Sequence, residues 1–252
     1  MTATRFAATV SYDGTAFAGS QRQANARTVQ HELETAAQAL FGTPTRVAMA
    51  GRTDAGVHAI GQVAAFSAET RHEPRTVERA LNAHLPDDVA VRAVRHAPPD
   101  FDPRRWARRR WYRYTVWNGE ARDPLLRRSA WFVEGNLDLD AMQQAANALA
   151  GRQDFLACSG TLEPGRTSVR TVFTAGWHRD GDALLFDIEA DAFLPQMVRR
   201  LTGALIRLGR RPLEVEDFVR LLGQAAPGTI GPTAPPNGLC LRHVWYDEGY
   251  DQ

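Results

Sequence analysis

The segment GRTDAGVHA, residues 51–59, holds the strongest candidates for chemistry in this chain. Arg52 and Asp54 alternate, and Asp54 follows an apolar strand from which a rigid scaffold can present a side chain to a cleft. Gly51, Gly56 and Gly61 give the backbone freedom to set a side chain at an unusual angle. The same composition also suits an ordinary connecting loop. Asp54 lies four residues before His58, a D-x-x-x-H spacing that admits a metal pair. A metal site needs a third ligand and a supporting shell, and nothing nearby in the sequence supplies them.

Two further segments carry charge in a pattern. From Arg104 to Arg128 there are nine arginines against Glu120 and Asp123, interleaved with Trp106, Trp111, Tyr112, Tyr114 and Trp117. Arginine among aromatics offers phosphate contacts beside surfaces on which bases stack, which points to nucleic acid. The plainer reading is an exposed strand with solvated arginines and core tryptophans. In FLPQMVRRLTGALIRLGRR, Met197, Leu201, Leu205 and Leu208 share one helical face and read as core. Arg199, Arg207 and Arg210 fall opposite, with the small residues Thr202 and Gly203 between, where another backbone can approach closely. Arg199 sits near the helix start, so an incoming carboxylate would meet a guanidinium and a favourable helix end.

Other templates are missing. There is no GxSxG elbow, HExxH, Walker loop or G-x-G-x-x-G after a strand. His84, His96 and His243 stand singly and read as structural. The 30 basic residues are all arginine, which excludes Schiff-base, general-base and P-loop lysines. Cys158 and Cys240 form no CxxC pattern, so neither a disulfide framework nor a cysteine zinc site is expected. Net charge is +1, the opening residues do not read as a signal peptide, and no apolar run reaches the ~20 residues that span a bilayer. The expectation is a soluble, cytoplasmic protein.

The elements that must position these residues repeat. Phe6, Ala8, Val10 and Tyr12 alternate as a half-buried strand, and Thr28 caps a helix bearing Val29, Leu33, Ala36 and Leu40. Residues 46–50 and 62–67 read as strands, 74–85 as a helix and 89–95 as a strand. The second half predicts strands over 109–117 and 129–133, then a helix capped by Asp138 and ended by Gly151. A hairpin about Asp180-Gly181-Asp182 follows, then helices over 194–208 and 214–222 and a last strand, LCLRHVWY. The fold class is α+β, two related βαββαβ-like halves, ferredoxin-like in derivation, around a central basic cleft. The expected domains are 1–103, carrying the Asp54 loop, and 104–252, carrying the basic strand and the Arg199 helix. The Pro/Arg-rich stretch 97–105 is the natural hinge.

GRTDAGVHA and six further motifs in order make a resemblance specific: YDGTAFAGSQRQ, TVQHELE, RRWYRY, RTSVRTV, FLPQMVRR and APPNGLCLRHVWY. Together they resemble the TruA-type tRNA pseudouridine synthases over nearly the whole chain. The resemblance implies a homodimer with no cofactor that isomerises uridine in the anticodon stem-loop of tRNA, typically at tRNA positions 38 to 40. It implies Asp54 as the essential aspartate and Tyr112 as the tyrosine contacting the target base. Arg52 matches the arginine implicated in extruding the uridine, and Arg199 the one expected to pair with the aspartate. Two positions depart from the family pattern: Ser20 stands where tryptophan is usual, and Arg200 where asparagine is usual. Two alternatives are a non-catalytic tRNA-binding protein of the same fold and a carboxylate-based glycosidase. The first gives Asp54 no purpose, and the second needs a second catalytic acid.

Overall fold

The protein is described from a computed structural model that covers residues 3–162, 165–210, 214–224 and 226–247. In chain order the elements are β1 (Thr4–Tyr12), α1 (Val29–Phe41), β2 (Ala48–Met49), β3 (His58–Ala68), α2 (Pro74–His84) and β4 (Val89–His96). They continue with β5 (Arg109–Trp117), β6 (Trp131–Phe132), α3 (Leu139–Asn147), β7 (Gly151–Asp154), β8 (Val169–Asp180) and β9 (Ala183–Ala190). The chain ends with α4 (Met197–Gly209), α5 (Val215–Leu222) and β10 (Leu239–Trp245). The β-α-β-β-α-β order thus occurs twice, with the short strands β6 and β7 and the helix α5 added to the second round. This is the mixed α+β architecture read from the sequence.

Two compact units form, Met1–Arg108 with Cys240–Gln252, and Arg109–Leu239. In the first, β4, β1 and β3 are antiparallel neighbours, β2 pairs with β3, and β10 joins β3 in parallel through Cys240↔His58 and Leu241↔Ala59. The Pro/Arg-rich stretch is fastened within this unit. Phe101 is buried, its carbonyl accepts from Arg5 Nη2 at 2.8 Å, and the Tyr246 hydroxyl donates to Pro103 O at 2.9 Å. In the second unit β5, β9, β8 and β7 are antiparallel in that order, and β6 lies parallel to β5.

Alternation decides the faces. Phe6, Val10 and Tyr12 of β1 are buried, and Phe6 stacks on Phe66 of β3 at 5.5 Å. Burying such a side chain stabilises by roughly 1.5–3 kcal/mol. Thr28 accepts from His31 N to start α1, Gly42 ends it in the left-handed region (φ 72°), and Pro74 opens α2 where a missing N–H costs nothing. The Gly181-Asp182 turn joins β8 to β9, with Gly181 at φ 58°.

Three local readings change. The strand expected over 46–50 shrinks to Ala48–Met49, because Val47 gives its N–H to Glu34 Oε1 (3.2 Å) and its carbonyl to Gln30 (3.0 Å) rather than to a ladder. The strand expected from residue 62 begins at His58, since Ala59 pairs with both Tyr12 and Leu241. Helix α3 closes on Ala148, and Gly151 instead opens β7 with φ 95°.

Two glycines mark where backbones touch. A Cβ on Gly61 would lie 2.1 Å from Arg242 O on β10, and one on Gly203 would lie 2.0 Å from Pro232 O. The close backbone approach expected at Thr202-Gly203 is therefore made by the chain's own 232–234 segment. Replacing Gly61 with Ala should destabilise by about 2 kcal/mol through overpacking, read as a lower urea midpoint. An unchanged midpoint would contradict this β3–β10 approach.

Candidate active site

The Asp54 loop is held on a scaffold that begins at the start of α1. The first N–H groups of a helix have no partner inside it. Here Gln30 N donates to Ser20 O (2.9 Å) and Val29 N to Gly19 O (3.4 Å), which fixes the segment ahead of the helix. Ser20, fully buried, then clasps Thr53 twice. Thr53 N donates to Ser20 Oγ at 2.8 Å, and Ser20 N donates to Thr53 O at 3.1 Å. Gly19 is required beside it, because its φ of 103° favours glycine and a Cβ would lie 2.9 Å from Thr53 O.

The strands hold the same loop from below. The Thr53 hydroxyl meets the Tyr12 hydroxyl at 2.9 Å, and Gln62 Nε2 donates to Gly51 O at 2.8 Å while its Oε1 accepts from Gly51 N at 3.3 Å. Tyr12 and Gln62 are both buried. Beyond Asp54, Gly56 N donates to Phe17 O (3.3 Å) and Val57 N to Asp54 O (3.2 Å). Asp54 is left half-buried and Arg52 exposed, on a backbone tied down before and after the carboxylate. Tyr12, Ser20, Thr53 and Gln62 are what the motif reading missed. Their only sequence signal is polarity at positions where the strand and turn pattern puts the interior.

His58 does not complete a metal pair. Its Nδ1 accepts from Gly14 N at 3.0 Å and lies 3.2 Å from Asp13 Oδ1. Among the described residues no three His, Cys, Asp or Glu side chains gather as a metal site. Glu34, the one buried carboxylate among them, accepts from Arg22 (2.6 Å), Gln30 (3.0 Å) and Val47 N (3.2 Å), so it is committed to structure.

The second unit holds Tyr112 and Arg199. Tyr112 is buried on β5, its ring edge-on to Phe193 at 5.1 Å. Arg199, half-buried in the first turn of α4, donates from Nε to Ala234 O at 2.8 Å. The adjacent carbonyl of Pro235 accepts from the Tyr114 hydroxyl at 2.7 Å, and burial raises that phenol well above its usual range. Met197, Leu201, Leu205 and Leu208 form the buried face of α4, as their spacing predicts. Gln196, just before the helix, is a left-handed non-glycine residue (φ 61°), and its Oε1 accepts from Arg200 Nη2 at 3.0 Å.

Part of the arginine cluster is committed to partners within the chain. Arg113 grips Asp187 with two bonds of 2.9 Å, Trp111 donates to the same carboxylate at 2.7 Å, and Arg109 pairs with Glu189 at 2.9 Å while its guanidinium covers Phe173. Arg108 pairs with Asp247 at 2.7 Å, and Arg110, buried, donates to Asp191 O at 2.6 Å. The balancing acids lie 74 to 139 residues away, so no local window of sequence contains them.

A family model described as tRNA pseudouridine synthase matches residues 8–104 and 145–247. The chain belongs to the tRNA pseudouridine synthase family. It is 42% identical over 240 residues to tRNA pseudouridine synthase A of Geobacter sp. (strain M21), covering 95% of this chain and 97% of that one. It is 43% identical over 235 residues to the protein of that name in Geobacter sulfurreducens, covering 92% and 96%. The pseudouridine synthase match has segments in both units and includes the Asp54 loop and α4, while β5 lies between its two matched segments. No helix among the described residues is long and apolar enough to cross a membrane.

The loop's anchorage to Tyr12 makes a pH prediction. Burial pushes the Tyr12 phenol up to about 12 from its ordinary 10.0, against the pull of its bonds to Thr53 and Gln62. The folded state therefore keeps a proton that the unfolded chain loses. The stabilising contribution is complete below pH 10 and is lost as pH rises towards 12. Urea unfolding across that window should show wild-type stability falling more steeply than that of Tyr12→Phe, with Tyr114 leaving a residual decline in both. Equal slopes would contradict the buried Tyr12 hydroxyl.

Proposed function

We propose that this chain isomerises uridine to pseudouridine in the anticodon stem-loop of tRNA, at tRNA positions 38 to 40, with Asp54 as its catalytic carboxylate. The observation that carries the reading is the anchorage of residues 51–57, which offers one carboxylate on a backbone held by buried polar groups. The reaction breaks the C1′–N1 bond, turns the uracil and joins C5 to C1′, releasing the C5 proton. The sugar passes through oxocarbenium-like charge, so an ionised carboxylate beside C1′ is the minimum requirement.

The remaining roles follow from chemistry and from the family resemblance. A stacked base is unreachable, so the uridine must leave the stack at a cost of a few kcal/mol. Arg52, exposed two residues before Asp54, suits filling the gap. Tyr112 is assigned to stack on the extruded uracil and to offer its hydroxyl for the C5 proton. Arg199 is assigned as the cationic partner of the carboxylate in the complex with RNA. Arginine stays protonated and can grip a carboxylate with two parallel bonds, opposing the tendency of burial to neutralise it. A tRNA substrate puts the work in the cytoplasm, and the resemblance supports a homodimer.

Incubation with unmodified tRNA, followed by mass-spectrometric mapping, should place pseudouridine at positions 38 to 40 and leave free uridine unchanged. Conversion confined to other regions of the tRNA would overturn the substrate assignment. Tyr112→Phe should lower turnover at least about tenfold, in line with a proton-transfer role. Near-normal turnover would remove Tyr112 from that step.

A further inference from the structure

Ser20 stands where tryptophan is usual in the family that the sequence resembles, and here its side chain takes part in holding the Asp54 loop. The site is built around a hydroxyl. Ser20 is fully buried, and its Oγ accepts the Thr53 N–H at 2.8 Å while its own N–H returns to Thr53 O at 3.1 Å. Thr53 is buried and immediately precedes Asp54, so its peptide plane sets the direction in which the carboxylate leaves the chain. Thr53 and Ser20 are both buried, and without Oγ the donor loses its partner at a cost of about 1–3 kcal/mol. The cheapest relief is rotation of the 52–53 peptide, which carries that N–H, towards solvent, and this shifts the backbone from which Asp54 leaves.

We propose that Ser20 is a positioning residue for the isomerisation, holding Asp54 in its productive direction through the Thr53 amide. This rests on the reading of Asp54 as the catalytic carboxylate. Ser20 touches neither substrate nor the reacting atoms. The lock is also tied to α1, because Ser20 O accepts from Gln30 N at 2.9 Å, so helix, turn and loop move as one piece. The second support on Thr53, the Tyr12 hydroxyl at 2.9 Å, holds the side chain rather than the amide and does not replace Oγ.

The test is tritium release from 5-[³H]uridine-labelled tRNA by Ser20→Ala, with kcat and KM separated. Asp54→Asn serves as the blank, and Ser159→Ala as a second loss of a fully buried serine hydroxyl, in the other unit. Misplacement of a reacting group by about 1 Å costs on the order of 100-fold. Ser20→Ala should therefore lose roughly 10- to 100-fold in kcat with KM for tRNA within about twofold, while Ser159→Ala keeps wild-type kcat. If Ser20→Ala does not fold, Ser20→Cys, similar in shape but a poor acceptor, should show the same split. Either variant with kcat within about twofold of wild type, or with the loss confined to KM, overturns the proposal. So does an equal kcat loss in Ser159→Ala. Release by Asp54→Asn would instead overturn the reading of Asp54 itself, whatever Ser20 does.

Discussion

The constraint on which the first unit depends is that the loop carrying Asp54 must bury its own backbone without losing a hydrogen bond. Buried peptide groups are expensive to leave unpaired. Residues 51–57 run between β2 and β3 without joining a strand, so no ladder serves them. Their partners are supplied one by one: Gln62 for Gly51, Ser20 for Thr53, Phe17 O for Gly56. Each supplier is fixed by an element with a core of its own, α1 behind Ser20 and β3 beneath Gln62. The carboxylate's direction is thus a consequence of helix capping and strand pairing at a distance.

The second unit obeys the same rule in charged form. Strand β5 alternates between a buried face, with Tyr112, Tyr114 and Val116, and a half-exposed face with Arg109, Trp111 and Arg113. The open-face guanidiniums find carboxylates on β9, Arg113 directly opposite Asp187 by register and Arg109 diagonally at Glu189, which stands opposite Trp111. Such cross-strand pairs fix side-chain direction more than they add stability, since partly exposed pairs contribute only about 0–1 kcal/mol. Tyr114 and Arg199 meanwhile hold the neighbouring carbonyls of Pro235 and Ala234. The segment that presses against Gly203 is thereby secured to both β5 and α4.

The fold was legible wherever one period dominated. Alternation in β1 and β5, the 3–4 spacing in α4, the Thr28 and Asp138 caps and the Gly181 turn all stand as their residues predict. Legibility failed where a side chain from elsewhere took a backbone's bond. Val47 left the ladder for Glu34 and Gln30, and no local pattern announces that. The site divides in the same way. Asp54 stood out as the candidate because its motif is contiguous, whereas Ser20 and Gln62, 33 and 11 residues from the groups they hold, were invisible as support. The arginine cluster looked uncompensated because the balancing acids are distant in sequence and adjacent only across strands.

The account stands on one carboxylate doing chemistry that binding alone does not require. The direct measurement pairs tRNA affinity with tritium release for wild type and Asp54→Asn at matched, saturating RNA. The expected result is near-equal affinity for the two proteins, with release by wild type and none above background by the variant. Equal release by both would contradict the central claim, and wild type that binds tRNA without releasing tritium would make the chain a binding protein.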